Sequence, residues 1–296
     1  MGAEFSTDDK GIVHVDRDPV SHIARITFDN PSKKNAMNLD MVNTLGRALD
    51  ELAVDDDIKV VVLRGTGGVF TTGADLSQAY NWYAKEGDTR RPSQRRRLAV
   101  DRAGQRIFHE FIGYPKVTIT QVEAYAFGAG LELALASDLA VVGRNAKLGM
   151  PATRFLGPVL GNLHLFFHRL GPNITRDLLL TGRQAIASEY EHAHIFARVL
   201  PDEDVAATTE ELAAQVARMP ADGIAIAKEA YRLVEGQTAL AAEETCAYLF
   251  HSYGTNLRFE DDEFNFVKER SRAGSTGAAF KKRDEFYDGG SGGRGE

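Results

Sequence analysis

The 296-residue chain carries 35 Lys and Arg against 42 Asp and Glu, a formal net charge of −7, with 43% hydrophobic and 26% charged residues. That balance fits a soluble globular fold with one substantial core and argues against nucleic acid as the main partner, because a phosphate backbone is met by a net basic face. Its one cysteine, Cys246, excludes an internal disulfide. No apolar stretch approaches the roughly 20 residues of a membrane span, and the polar N-terminus lacks a signal peptide's apolar core, so a cytoplasmic protein without membrane contact is expected.

The first half alternates strands with amphipathic helices. In His22–Asn30 (HIARITFDN), Ala24, Ile26 and Phe28 recur at period two, the signature of a strand with one buried face. The turn-like NPSKKN follows. Asn38 then stands where its side chain can cap a helix carrying Val42, Leu45, Leu49 and Leu52 on one face. Ile58–Gly65 (IKVVVLRG) reads as a buried strand by its β-branched run, and a glycine-rich loop, TGGVFTTGADL, comes after it. KVTITQVEAYAF reads as one further strand leading into FGAGLELALASD, and Asp138–Gly143 (DLAVVG) as a short strand. From about Gly161 the pattern becomes mainly helical. This order predicts an α/β fold, a strand-rich core followed by a helical region. The last nine residues, DGGSGGRGE (288–296), read as a disordered tail.

The segment from Ser77 to Arg106 differs from its surroundings. It holds Tyr80, Trp82 and Tyr83, then RRPSQRRR (Arg90–Arg97). Two readings stand: a mobile, solvated insertion, or a lid and pocket wall whose arginines meet phosphate groups.

Two loops carry chemical meaning together. Phe70–Leu76 (FTTGADL) and Phe127–Glu132 (FGAGLE) each follow a strand and place glycine where backbone can approach a ligand without a Cβ in the way. If the strands are neighbours, the N–H groups of Ala74 and Ala129 converge on one oxygen. Two preorganised donors of that kind stabilise an enolate or a tetrahedral oxyanion. Glu132, in the first turn of the following helix, is a carboxylate able to move a proton beside such a site. Its plainer reading is a first-turn Glu favoured by the helix dipole.

The motifs NPSKKNAMNLDM, VVVLRGTGGVFTTGADL, YPKVTITQVEAYAFGAGLELALASDLAVVGRNAKLGMP, LTGRQAIASEYEHAHIFARVL and AAFKKRDEFY run through nearly the whole chain. Through them it resembles the crotonase superfamily, the enoyl-CoA hydratases and isomerases, from about Ile12 to Tyr287. The resemblance implies a spiral of ββα units over residues 12–200. It implies a helical C-terminal region over 201–287 that packs subunits into homotrimers or hexamers. The substrate it implies is an acyl-CoA thioester, with coenzyme A present only as part of that substrate and no tightly bound cofactor. By the same resemblance the thioester carbonyl sits between the N–H groups of Ala74 and Ala129; the family usually has glycine at the latter, and a backbone donor survives the change. Lys34, Ala36, Gly73, Asp75, Leu76 and Gly128 would line the CoA groove, with Lys281 and Lys282 near a CoA phosphate or the adenine. Tyr80, Trp82, Tyr83, Thr153 and Tyr248 are candidate pocket residues.

Glu132 falls where hydratases carry the first of two catalytic glutamates. The second is missing. Hydratases typically read Gly-x-Pro-Glu where this chain reads GMPATRFLG, so that Ala152 or Thr153, depending on the side aligned from, takes its place. Syn addition of water uses one group to hold the water and another to deliver a proton, and here one of the pair is gone. Three readings stay open. Glu132 alone would serve an isomerisation or epimerisation through an enolate. A replacement acid, Glu123, Asp138 or a residue of the aromatic insertion, would permit hydration or retro-aldol cleavage; GPVLGNL and CAYLFHS resemble the hydroxycinnamoyl-CoA hydratase–lyases, whose tyrosine Tyr248 matches. The third reading is an acyl-CoA-binding or assembly subunit without turnover.

No metal site is expected. His164 and His168 are four apart but lack the glutamate of a zinc-protease helix and read as a packing pair, and His192 and His194 diverge. There is no G-x-S-x-G elbow and no Walker or dinucleotide fingerprint.

Overall fold

A computed structural model describes residues 11–78, 83, 92–157, 162–236, 249, 259 and 263–288. β1 (Ile12–Asp18) and β2 (Ile23–Asp29) form an antiparallel hairpin, after which α1 (Leu39–Ala53) crosses to β3 (Val60–Gly65), parallel to β2. The Asn38 cap is present, its side chain accepting the Met41 N–H at 2.8 Å. The face of α1 that enters the core is Met41, Leu45, Leu49 and Leu52, with Val42 half-buried beside them.

α2 (Gln94–Ile112) connects β3 to β4 (Val117–Val122), again parallel. The run read from sequence as one strand, KVTITQVEAYAF, breaks here. Ala124 sits in the left-handed region (φ +52°), and the Tyr125 N–H turns back onto the Glu123 carbonyl at 2.6 Å. A residue with a Cβ pays on the order of 1 kcal/mol or more for that conformation. The result is two strands in different sheets. β4 stays in the main sheet, while β5 (Tyr125–Phe127) leaves it to deliver the chain into α3 (Ala129–Ala136).

β6 (Leu139–Gly143) returns beside β4, and β7 (Lys147–Gly149) pairs in parallel with β5. The helical stretch that follows is interrupted by two short strands. After α4 (Thr153–Leu156), α5 (Leu163–Arg169) and α6 (Gly171–Thr181) come β8 (Ala185–Ile186), on β7, and β9 (Arg198–Leu200), on β6. The main sheet therefore runs β1-β2-β3-β4-β6-β9 and the smaller one β5-β7-β8.

Alternation along β3 explains why it is apolar throughout. Val61 and Leu63 face the main core with α1 and α3, whereas Val60 and Val62 face the opposite side, where α7 (Val205–Ala217) packs Val205, Ala213 and Ala217 against them. The first helix of the 201–287 region is thus the outer layer of the sheet. α8 (Ala221–Glu235), α9 (Phe266–Ala273) and α10 (Thr276–Asp288) complete the described chain.

α7 is pinned to β2 by a two-pronged ion pair. Arg25 donates from Nε to Glu210 Oε1 at 2.9 Å and from Nη2 to Oε2 at 2.6 Å. The Arg25 contact holds the Glu210 carboxyl below the usual carboxylate range. With the pair half open to water, Glu210→Gln is expected to cost no more than about 1 kcal/mol in urea unfolding at pH 7. A carboxylate whose folded pKa is depressed stabilises above its unfolded pKa and loses that contribution as pH falls through the folded value. Wild type and Glu210→Gln are therefore expected to draw together in stability as pH falls from 7 through the folded-state value, which lies below the usual carboxylate range. A gap that does not narrow on acidification would contradict this.

Candidate functional site

The two glycine-bearing loops meet. The loop after β3 is held on one side by Met37, whose N–H donates to the Gly73 carbonyl (2.7 Å) and whose carbonyl accepts the Asp75 N–H (2.8 Å). In that parallel pairing the N–H of the residue between, Ala74, is not used. On its other side the loop pairs with β5: the Thr71 N–H donates to the Tyr125 carbonyl (3.1 Å) and the Phe127 N–H to the Thr71 carbonyl (3.3 Å). The Thr71 hydroxyl closes the turn, donating to the Asn35 carbonyl (2.6 Å) and accepting the Gly73 N–H (3.0 Å).

Space at this junction excludes a side chain. Gly73 has φ +88°, and a Cβ there would lie 2.5 Å from the Phe127 carbonyl oxygen and 3.3 Å from the Ala129 nitrogen. A Cβ at Gly130 would lie 2.6 Å from Thr71 Cγ2. Gly128, at φ +54°, turns the chain from β5 into α3, and Ala129 is the first helical residue, so its N–H has no carbonyl one turn earlier to meet. The N–H groups of Ala74 and Ala129 thus belong to two loops in contact.

α3 is buried from Gly130 to Ala136, and Glu132 goes in with it at 4% exposure. Its Oε1 accepts two hydrogen bonds from one residue, the Asn162 N–H at 2.8 Å and Asn162 Nδ2 at 3.0 Å. In the sequence Asn162 stands within GPVLGNL, and an Asn directly ahead of the helical LHLFFHRL is its only signal.

Neither Ala152 nor Thr153, the two residues aligned above with a second glutamate, is an acid. Ala152 packs between the main core and an aromatic cluster of the C-terminal helices that includes Phe264, Phe266 and Phe280. Thr153 begins α4, and its buried hydroxyl has no hydrogen-bond partner and points to the end of α6, 2.7 Å from where a Gly182 Cβ would be. Of the replacement acids named by number, Glu123 and Asp138, the latter lies beyond the far end of α3. There it accepts the Thr118 N–H (2.8 Å) and pairs with the buried Lys228 (2.5 Å). Glu123 accepts from Gln121 Nε2 at 2.9 Å.

Several of the residues proposed for a CoA groove line the same loops. Lys34 adopts φ +52° and lays its ammonium 4.5 Å from the centre of the Tyr125 ring, while Ala36 is buried. Burial alone would raise the Asp75 carboxyl, but hydrogen bonds from Ser77 and Lys33 outweigh it and hold the group below the usual range. The Leu76 carbonyl accepts from Arg270 Nη1 of α9 at 2.9 Å, a contact the sequence did not announce. On α10, Lys282 is paired with Glu269 at 2.9 Å, and Lys281, largely exposed, has Glu285 at 3.9 Å.

The arginine-rich stretch is the start of a helix where it is described. Ser93 caps α2, and Arg95–Arg97 fall in its first turn. Tyr83 is buried against that turn: its hydroxyl donates to Asp101 (2.5 Å), Arg97 covers its ring (4.6 Å), and Arg96 Nε donates to its carbonyl (2.7 Å). Two of the half-buried arginines of this stretch, Arg96 and Arg97, thus make contacts with Tyr83. Tyr80, Trp82, Tyr248, Arg90 and Arg91 lie outside the described residues. The rings of His164 and His168 stack 5.8 Å apart. Among the described residues no helix is long and apolar enough to cross a membrane.

The sequence model of the enoyl-CoA hydratase/isomerase family matches residues 19–272. The chain is 31% identical to a putative enoyl-CoA hydratase of Thermus thermophilus over 212 residues, covering 70% of this chain and 79% of that protein. It is 28% identical to the 1,2-epoxyphenylacetyl-CoA isomerase of Escherichia coli over 224 residues, 74% of this chain and 83% of the relative. In fold it is similar to an enoyl-CoA hydratase from Mycobacterium smegmatis (TM-score 0.78, 93% of each chain, 23% identity). It is also similar to an enoyl-CoA hydratase/isomerase from Xanthobacter autotrophicus Py2 (TM-score 0.74, 92% of this chain and 97% of that one, 25% identity). With the fold and more than half of its length matched, the chain belongs to the enoyl-CoA hydratase/isomerase family, in the crotonase superfamily.

Proposed function

We propose that the protein is an acyl-CoA enzyme that moves a proton on the carbon chain beside the thioester through an enolate, as an isomerase or epimerase, with Glu132 as the acid–base. One observation carries the reading: a buried carboxylate stands one turn into the helix that starts at the loop junction, while the stretch GMPATRFLG offers no carboxylate. In this scheme the thioester oxygen accepts from the N–H groups of Ala74 and Ala129. Each such donor is worth about 3 kcal/mol in the enolate where water is excluded.

The chemistry then needs one base. Glu132 takes a proton from the carbon chain, the electron pair moves onto the thioester oxygen, and the carboxylic acid returns the proton to another carbon or the other face. Hydration would need a second group to hold and deprotonate water. The aromatic cluster behind Ala152 offers none. Backbone at Lys34–Ala36, Gly73–Leu76 and Gly128 is the proposed CoA groove. Exposed Ile226, Leu233 and Val234 on α8 fit the proposed assembly into trimers or hexamers.

The test is deuterium uptake from heavy water, read by mass spectrometry, across saturated, 2-enoyl, 3-enoyl and aromatic acyl-CoAs. Wild type is expected to exchange at least one of them, and Glu132→Gln to be slower by about 10²–10⁴-fold. A mass gain of one water in wild type would replace the single-base reading with hydration. Bound acyl-CoA with no exchange in any case would point to a binding role.

Gly73→Ala is expected to lower exchange by about 10²-fold or more, since the new methyl would push Phe127 and Ala129 away from the Ala74 loop. Gly104→Ala, in an open position of α2 with nothing within 4 Å of the new methyl, is expected to leave the rate unchanged. Equal effects of the two substitutions would show that the loop junction is not special.

A further inference from the structure

The environment of Glu132 raises a question that the proton-transfer role does not answer. A buried carboxylate is pushed towards its neutral form, and a neutral acid cannot act as the base. Asn162 supplies what is needed against that push. It lies 30 residues away in sequence, is 3% exposed, and delivers two donors to the same oxygen, Glu132 Oε1.

The local backbone shows that this contact displaces another. Asn162 occupies the N-cap position of α5, with φ −84° and ψ 83°. An N-cap Asn ordinarily turns its side-chain oxygen onto the helix's own first N–H groups. Here the side chain makes no cap bond. Its amide faces Glu132 instead, and because an ionised carboxylate only accepts, the nitrogen is the atom that must face it.

We propose that Asn162 is the positioning residue for Glu132, fixing Oε1 in place and keeping the carboxylate ionised so that it can accept a proton from the acyl chain. This deepens the role given to Glu132 above and rests on it. Of the elements packed against α3, β4 and β6 carry no titratable side chain. β5 contributes Tyr125, which lies under Lys34. α5 contributes the stacked His164 and His168, and Arg169, paired with Glu235. α2 contributes Arg95, Arg102, His109, Arg96 and Arg97 against Tyr83, Asp101 holding the Tyr83 hydroxyl, and Arg106 with Glu110.

The experiment starts with ligand-free protein. Infrared difference spectra of wild type, Asn162→Ala and Asn162→Asp, each minus its own Glu132→Gln counterpart, isolate the Glu132 carboxyl band for titration. The midpoint is expected to rise by at least about one pH unit in Asn162→Ala, and further in Asn162→Asp, where two carboxylates would share the site. The acid limb of the exchange rate should move in step while acyl-CoA affinity stays within a factor of about two of wild type. Added to Glu132→Gln, Asn162→Ala should change nothing further. A midpoint in Asn162→Asp indistinguishable from wild type overturns the proposal. That isosteric variant decides the matter if Asn162→Ala does not fold. Exchange that survives Glu132→Gln would instead remove the catalytic role of Glu132 and leave the titration result standing.

Discussion

The candidate site depends on how closely two stretches of backbone approach each other: Gly73 on the loop after β3, and Phe127–Ala129 at the start of α3. With a methyl group at Gly73 the gap would have to open, because its nearest neighbours are a carbonyl oxygen at 2.5 Å and a backbone nitrogen at 3.3 Å rather than a side chain that could swing aside. The same contact is enforced from below by Gly130 against Thr71. Met37 pins one side of the loop and β5 the other, so the unused N–H of Ala74 is held without a side chain having to hold it. Preorganisation of this kind costs no rearrangement at the moment charge develops on an oxygen.

α3 makes the rest of the site possible. It is apolar and buried nearly all round, which fixes its axis between the main sheet and α5 and leaves one polar side chain inside, Glu132. The far end of the helix is anchored by Asp138 to Thr118 and Lys228, so its start is not free to drift from the Gly73 loop. The C-terminal helices close the other side. Arg270 ties α9 to the Leu76 carbonyl, and Phe264, Phe266 and Phe280 cover Ala152. The wall behind Ala152 is therefore apolar, in keeping with the one-base chemistry proposed and with the absence of a carboxylate in GMPATRFLG.

What could be read in the sequence was what local pattern dictates. The period-two burial of β2, the Asn38 cap, the amphipathic α1 and the glycine pairing of FTTGADL with FGAGLE all express short-range constraints. The break in KVTITQVEAYAF was not legible, because a non-glycine residue at φ +52° is a tertiary decision, taken so that β5 can pair with β7. The short strands β8 and β9 were missed for a similar reason: two or three residues carry no periodicity, and their pairing comes from distant partners. Asn162 and Arg270 reach the site from remote parts of the chain, and nothing local separates them from an ordinary cap and an ordinary surface arginine. In RRPSQRRR the charge suggests solvent or phosphate, and the contacts of Arg96 and Arg97 with Tyr83 come from tertiary packing that composition does not carry.

The central claim is that the backbone at Ala74 and Ala129 polarises a thioester carbonyl. The most direct test is the infrared stretch of a carbonyl-labelled saturated acyl-CoA bound to Glu132→Gln, where turnover is blocked, compared with the same ligand on Glu132→Gln carrying Gly73→Ala. The account predicts a band at lower frequency than in water for the first and a return towards the water value for the second. A bound thioester whose carbonyl absorbs as it does in water, or whose shift ignores the change at Gly73, would contradict it.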